Sequence, residues 1–300
     1  MIKDPINGST NVQLLKIINN QKLIDGYKKK LDINIEKIVG KEEIGLYKSL
    51  DTSYEFYYPP SQGDDEFYQE LEGFPWYYAK DKWEHNIGEK LITKGNTLEI
   101  GCGNGEFLNK LQKKGFNCSG LDFNQHAIDE AKKKGLNVVN STLKEYTKTS
   151  NAKFDNIVLF QILEHIFDIN DFFNDLIKLL KPNGQILVAV PNNDSYVFNI
   201  FDDSSYEEAA CLLNMPPHHA GRWTKESFQK LAEIFGLKVK NIDYEPIYDD
   251  RLELVARNIV KKKSPFLRSH KFIKKIVLNW VKKNRKRIHG DTILISFIKL

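Results

Sequence analysis

Cysteine is scarce in this 300-residue chain, and the three present (Cys102, Cys118 and Cys211) form no CxxC pair. An odd number at such spacing argues against a disulfide framework and a structural zinc site, so a reducing, cytoplasmic setting is expected. No run approaches the roughly eighteen apolar residues of a membrane span, and Met1 to Asn20 lacks the charged, then apolar, then small-residue order of a signal peptide. Neither secretion by that route nor integration into a membrane is therefore expected. No internal repeat and no RNA-binding module pattern is found. What is there suffices for a core, since 41% of the residues are hydrophobic. Charge is a local matter. The net charge is +4, yet thirteen Lys or Arg and no acid fall between Arg257 and His289, leaving −9 for the remainder.

Val12, Leu15, Ile18 and Leu23 form a modest apolar stripe that predicts a Lys-rich helix over 10–31. Ile44 to Leu50 and Tyr54 to Tyr58 are short β-prone runs around Asp51-Thr52-Ser53, ended by Pro59-Pro60, and predict a hairpin. Phe67, Tyr68, Phe74, Trp76, Tyr77, Tyr78 and Trp83 crowd the next stretch as a lid or substrate wall, or as the packing face of a lead-in helix. From Thr97 apolar strands and amphipathic helices alternate. Strands are predicted at 97–100, 117–121, 137–139, 156–160, 185–190, 237–243 and 292–298, and helices near 105–114, 124–134, 170–180 and 224–235. This is the pattern of a doubly wound α/β sheet. The expected organisation is an accessory or lid region over 1–84, then a domain over 85–300 that carries a basic helical insertion at 249–289.

The chemistry starts at Leu98-Glu-Ile-Gly-Cys-Gly-Asn-Gly105. A glycine-rich turn between a buried strand and a helix lets backbone approach a ligand closely, and Gly101, Gly103 and Gly105 supply one. Glycines alone could serve packing. Asp122, about twenty residues on and after the second strand, is placed to accept both hydroxyls of a ribose, as in many nucleoside sites. A pyrophosphate-binding GxGxxG counted from Gly101 would need a small residue at 106, where Glu106 stands, which disfavours a nicotinamide-dependent oxidoreductase. Glu99 places a carboxylate where a cationic amino group is welcome and a phosphate is not.

Taken with Gly120-Leu-Asp122-Phe-Asn, Phe154-Asp-Asn-Ile-Val, Leu163-Glu-His165-Ile and Leu180-Lys-Pro-Asn-Gly184-Gln, these motifs resemble class I S-adenosylmethionine-dependent methyltransferases over about residues 85–245. The resemblance implies a seven-stranded Rossmann-like sheet whose last strand, 292–298, inserts antiparallel. It implies S-adenosylmethionine as cofactor. Gly101, Gly103 and Gly105 would surround its methionine and ribose portions, Glu99 its amino acid end, Asp122 its ribose and Phe123 its adenine. Thr142 and Leu143 would lie near the adenine edge, and Gln161 beside the methionine part.

A base is needed chiefly when the methyl acceptor is a hydroxyl, and the candidates are Glu164, His165, His218 and His219. The histidines of Pro216-Pro-His-His219 fall in the loop expected over the reaction centre, although a hydrogen-bonding, structural role is the plain alternative. Glu164, His165 and a later histidine also resemble metal-dependent members, among them ubiquinone-biosynthesis and small-RNA methyltransferases. Gln161 replaces a further glutamate of that pattern, so Mg²⁺ or Mn²⁺ is not the favoured expectation and no metal ligand is assigned.

The hairpin and the tyrosine-rich sequence resemble bacterial methyltransferases of sugar and surface-polysaccharide biosynthesis, though without the zinc-binding cysteines of many relatives. The leading expectation is therefore O-methylation of a sugar or lipid-linked glycan. The alternatives are an RNA or quinone-like small-molecule acceptor, with or without metal assistance, or a silent cofactor-binding protein. Within 257–289, Phe266, His270, Ile273, Val277 and Trp280 recur near helical spacing among the basic residues. That reads as peripheral contact with an anionic inner membrane face, with nucleic acid as the weaker expectation and a solvated helix packed on the sheet as the plain reading.

Overall fold

The computed structural model describes residues 1–74, 77, 81–198, 203–263 and 271–300. Trp76, Tyr78, Phe266 and His270 lie outside the described residues. Along the first part of the chain run β1 (Val12–Ile17), α1 (Asn20–Leu31), α2 (Glu36–Val39), β2 (Gly45–Ser49), β3 (Glu55–Tyr58), α3 (Asp65–Glu72) and α4 (Trp83–Leu91). The expected hairpin is β2–β3. The expected helix over 10–31 divides, because Val12–Ile17 pairs antiparallel with β2 and α1 begins only where the Asn19 side chain accepts the Lys22 N–H. A capping asparagine thus starts the helix just beyond the strand, and sheet pairing decides the β-branched residues before it.

The main sheet comprises β4 (Asn96–Ile100), β5 (Asn117–Asp122), β6 (Val138–Asn140), β7 (Phe154–Phe160), β8 (Leu180–Pro191), β10 (Leu237–Tyr244) and β11 (Thr292–Lys299). Its order is β10-β11-β8-β7-β4-β5-β6, with β11 antiparallel to both neighbours. Helices α5 (Glu106–Gln112), α6 (Gln125–Lys133), α7 (Leu143–Thr149), α8 (Ile169–Leu179) and α10 (Lys225–Ile234) make the crossovers. This is the seven-stranded Rossmann-like architecture expected, antiparallel last strand included. The strands at its centre are buried on both faces, which is why they read as continuous apolar runs rather than as alternating ones.

Between β8 and α10 come the single-turn α9 (Ala209–Leu212) and the two-residue β9 (Gly221–Arg222). Strand β9 pairs with β3, completing a second sheet of order β1-β2-β3-β9. The lobe around the hairpin therefore draws on distant parts of the sequence. Its core holds Leu23, Tyr27, Phe67 and Leu71 together with Tyr206, Leu212 and Met215.

Trp223, fully buried, joins the two sheets. Its ring lies 4.4 Å from Tyr54 on the hairpin side and 4.7 Å, stacked, from Phe228 of α10 on the other. Trp223→Ala should cost about 3–5 kcal/mol in urea unfolding, the range for a large aromatic cut from a packed core. Leu50→Ala, at a position 56% exposed, should stay within about 0.5 kcal/mol.

Candidate active site

Strand β4 ends in the glycine bend. Gly101, Gly103 and Gly105 all take positive φ (73°, 49° and 77°), the region that side chains rarely adopt. At Gly101 a Cβ would also stand 2.1 Å from Ile162 Cδ1, and at Gly105 one would stand 2.3 Å from Leu136 Cδ1. Glycine is favoured here by conformation at all three positions, and at 101 and 105 a side chain would also have to displace Ile162 or Leu136.

Strand β5 brings Asp122 to the same place. Its Oδ2 accepts the Gly103 N–H at 2.7 Å and its Oδ1 the Asn124 N–H at 2.9 Å. Burial raises its pKa, and the two backbone donors work against that rise. Glu99, inside β4, is buried, and its Oε2 has no hydrogen-bond partner among the described residues. Burial, and then the neighbouring Asp122 carboxylate, push its pKa well up. A carboxyl oxygen left unpaired in an apolar wall is costly unless a ligand supplies a donor or a positive charge.

These groups line a cavity of about 710 Å³ that also takes in Phe123, Gln161, Glu164, His165, His218 and His219. Phe123 is 65% exposed at its rim. Gln161 follows β7 at φ 56°, and its Nε2 donates to Glu84 Oε1 at 3.3 Å. Two expected residues are not among those lining it. Thr142 is the N-cap of α7, exchanging hydrogen bonds with Glu145, while Leu143 packs into the main core. The capping box that starts α7 holds both in those positions.

The sequence reading missed Glu84, Phe198, Arg251 and Asp291 in the cavity wall, whereas Tyr68 and Tyr77, named within the aromatic stretch as lid or substrate wall or as packing face, do line it. The aromatic stretch in fact divides its labour: Phe67 is core, whereas Tyr68 faces the cavity and meets His165 edge-on at 6.2 Å. The signal for Tyr68 was its place in that stretch. Nothing local marked Arg251 and Asp291, which come to the site from the two ends of the basic insertion and pair there at 2.9 Å.

The three histidines converge. Ring centroids are 4.7 Å apart for His165–His218, 4.9 Å for His165–His219 and 4.5 Å for His218–His219. Each Nδ1 faces an oxygen that can only accept: His218 O at 2.6 Å from His165, Leu213 O at 2.9 Å from His218, and Asn214 Oδ1 at 3.1 Å from His219. Each Nδ1 therefore donates, and a neutral imidazole keeps its lone pair on Nε2. Burial lowers the His165 pKa to about 4 and that of His218 to about 3, and drives that of His219 well below its ordinary value. Beside them Glu164 is buried with Oε2 unpartnered among the described residues, and burial pushes its carboxyl up to about 8.

One nitrogen from each imidazole lies within 4.8 Å of the other two, the one metal-competent grouping among the described residues. It is all nitrogen. Mg²⁺ and Mn²⁺ prefer carboxylate, carbonyl and water oxygen, Glu164 is not part of the grouping, and Gln161 is turned to Glu84, so the residues present do not fit those ions.

A family model described as a methyltransferase domain matches residues 76–242, more than half of the chain. The chain belongs to this methyltransferase domain family. A ubiquinone biosynthesis O-methyltransferase of Pelagibacter ubique is 31% identical over 159 residues, covering 51% of this chain and 63% of that protein. One of the same description from Rickettsia canadensis is 27% identical over 165 residues, covering 50% and 66%. The alignments thus span less than two thirds of these relatives' length. Among solved structures, the plantazolicin methyltransferase BpumL in complex with SAH superposes with a TM-score of 0.51 at 17% identity, over 79% of this chain and 91% of that one, a likeness of fold.

The methyltransferase domain's buried titratable groups predict a pH profile. The histidines have depressed pKa values, so the stability they contribute is present above about 6.5 and is lost as pH falls toward 4 and 3. Glu164 has a raised pKa, so its contribution is present below about 4.5 and is lost as pH rises through about 8. In urea unfolding across pH 4–9, His218→Gln should therefore flatten the acid limb. Glu164→Gln should gain on the wild type above pH 8, where each tenfold difference in proton affinity between folded and unfolded chain is worth about 1.4 kcal/mol before relaxation. Parallel curves for all three proteins would contradict these assignments.

Proposed function

We propose that the chain is an S-adenosylmethionine-dependent methyltransferase that methylates a hydroxyl on an aromatic, quinone-precursor-type ring. The observation that carries the cofactor is the pairing of Glu99 and Asp122 at one glycine bend. Asp122 is fixed by two backbone N–H groups with its carboxylate at the cavity wall, suited to ribose hydroxyls, and the orphaned Glu99 oxygen suits the ammonium of the methionine moiety. A phosphate-bearing cofactor would find two acidic side chains at the bend and would push their pKa values further up, whereas a cationic nucleoside would draw them down and be held by them.

S-adenosylmethionine, when bound, would supply a methyl group, with a neutral thioether as leaving group, for in-line displacement by the acceptor oxygen; Asp122 and Glu99 would hold it at the bend, and the acceptor's proton would need a base from this chain. The cavity supplies position and a dry surrounding, which account for most of the acceleration in such a displacement. Nε2 of the imidazole cluster is the base on offer, and it is a weak one because burial has lowered its affinity for a proton. A weak base suits an acidic hydroxyl. A phenolic group titrates near about 10 and yields its proton far more readily than a sugar alcohol. This favours the ring acceptor over the sugar or glycan expected from the hairpin. The relatives named for ubiquinone biosynthesis support the same choice. Tyr68, edge-on to His165, adds a flat wall for a ring.

Calorimetric titration with S-adenosylmethionine tests the first half. Binding to the wild type is expected, with a loss on the order of 1.5–3 kcal/mol in Asp122→Ala, the range for removing a charged hydrogen-bond partner. Incubation with radiolabelled methyl donor and a panel of catechols, simple sugars and RNA tests the second. Label in the catechol fraction is expected, and label confined to sugar or RNA rejects the ring acceptor.

A further inference from the structure

The basic insertion folds as a helical pair, α11 (Leu252–Lys263) and α12 (Lys271–Asn284). Val255, Ala256 and Ile259 of α11 close a small core with Val281 of α12, backed by Val277 and Leu278 and resting on Val197 and Phe198. That contact consumes the inner face of α12. Its outer face keeps three large apolar side chains in water: Phe272 is 74% exposed, Ile276 53% and Trp280 50%. They stand at i, i+4 and i+8, one line along the helix. Lys275, Lys282 and Lys283 are charged neighbours on the same helix, and Arg285, Lys286 and Arg287 continue the basic surface past its end. From the sequence, Ile273 and Val277 were expected to share a stripe with Trp280. In the fold both are only partly exposed, Val277 packs inward, and the true outer line is Phe272, Ile276 and Trp280.

We propose that the outer face of α12 docks this protein on a lipid bilayer carrying anionic headgroups. Apolar side chains in line along one edge, with lysines beside them, match the boundary between acyl chains and headgroups, where an amphipathic helix lies in the plane of the surface. Tryptophan is suited to that depth, with an apolar ring and one N–H donor. The absence of any acid from 257 to 289 makes the charge complementary to anionic lipid and opposes contact with a second copy of the same face. A nucleic acid would use the lysines and leave Ile276 in water, so the apolar line favours the bilayer. The two ends of the insertion, Arg251 and Asp291, are joined by their ion pair in the cavity wall, so the docked element is anchored at the edge of the site. Docking does not depend on which acceptor that site takes.

Co-sedimentation of the full chain with vesicles tests this. The wild type should pellet with equimolar phosphatidylglycerol and phosphatidylcholine and stay in solution with phosphatidylcholine alone. Phe272→Ser/Ile276→Ser/Trp280→Ser and, separately, Lys275→Glu/Lys282→Glu/Lys283→Glu should each lose on the order of tenfold or more of that partitioning, since apolar and ionic terms act together. Both sets change surface positions, and unaltered circular dichroism and melting are expected of them. Emission from Trp280, isolated by difference from Trp280→Phe, should shift to shorter wavelength on the anionic vesicles. A wild type left in the supernatant overturns the proposal. So does a serine variant that binds as well as the wild type, the behaviour of a general polyanion site that RNA would equally fill.

Discussion

The hydrogen bonds from the glycine bend to the end of β5, Gly101 and Cys102 N–H to Leu121 O and Gly103 N–H to the Asp122 carboxylate, hold the structure's functional end together. They extend the β4–β5 ladder past its last pair, so the bend and the Asp122 side chain are fixed relative to each other. Positive φ at three alternate positions makes glycine the strongly favoured residue of the bend, and a side chain at 101 or 105 would in addition have to displace Ile162 or Leu136. Rigidity of the backbone and access for a ligand come from the same residues. Glu99, just before the bend, is then buried by the sheet that makes the bend possible.

The other half of the cavity is built on a different principle. The loop between β8 and α10 folds across the hairpin sheet, and its carbonyls and Asn214 orient the imidazoles, His165 arriving from the turn after β7. All three rings are kept neutral by burial, and Glu164 is held toward its protonated form by the same cause. The site is thus polar but nearly uncharged where chemistry would occur, while two carboxyl groups, Asp122 and Glu99, stand at the bend, both held toward their protonated forms by burial and both open to stabilisation by a bound cation. That separation suits a cationic cofactor at one end and a neutral acceptor at the other.

Much of this was legible in the sequence, for definite reasons. The main sheet could be read because each buried strand is a short apolar run followed by a helix, and the glycine bend because its residues are contiguous. Glu164, His165, His218 and His219 could be named but not assembled, since their convergence depends on the loop before β9 hydrogen-bonding to the distant turn after β7, Ala220 N–H to Glu164 O and His165 Nδ1 to His218 O. Strand β1 was hidden because Val12, Leu15 and Ile18 stand at helical rather than strand spacing, and pairing with β2 overrides that local signal. Thr142 and Leu143 were expected near an adenine edge, and what the fold shows of them is a capping box and a core contact outside the cavity lining, since both uses draw on the same short segment after β6. The outer line of α12 could not be chosen from its inner one until the packing of Val277, Leu278 and Val281 was known.

The central claim is that a sulfonium nucleoside occupies the bend with its ribose on Asp122 and its amino group on Glu99. The direct measurement is a crystal structure of the chain with S-adenosylhomocysteine. Density is expected along Gly101 to Gly105, with both ribose hydroxyls within hydrogen-bonding distance of the Asp122 carboxylate and the ammonium against the Glu99 oxygen that is otherwise unpaired. A ligand bound elsewhere in the cavity, with Asp122 contacting only its own backbone donors, would contradict the account.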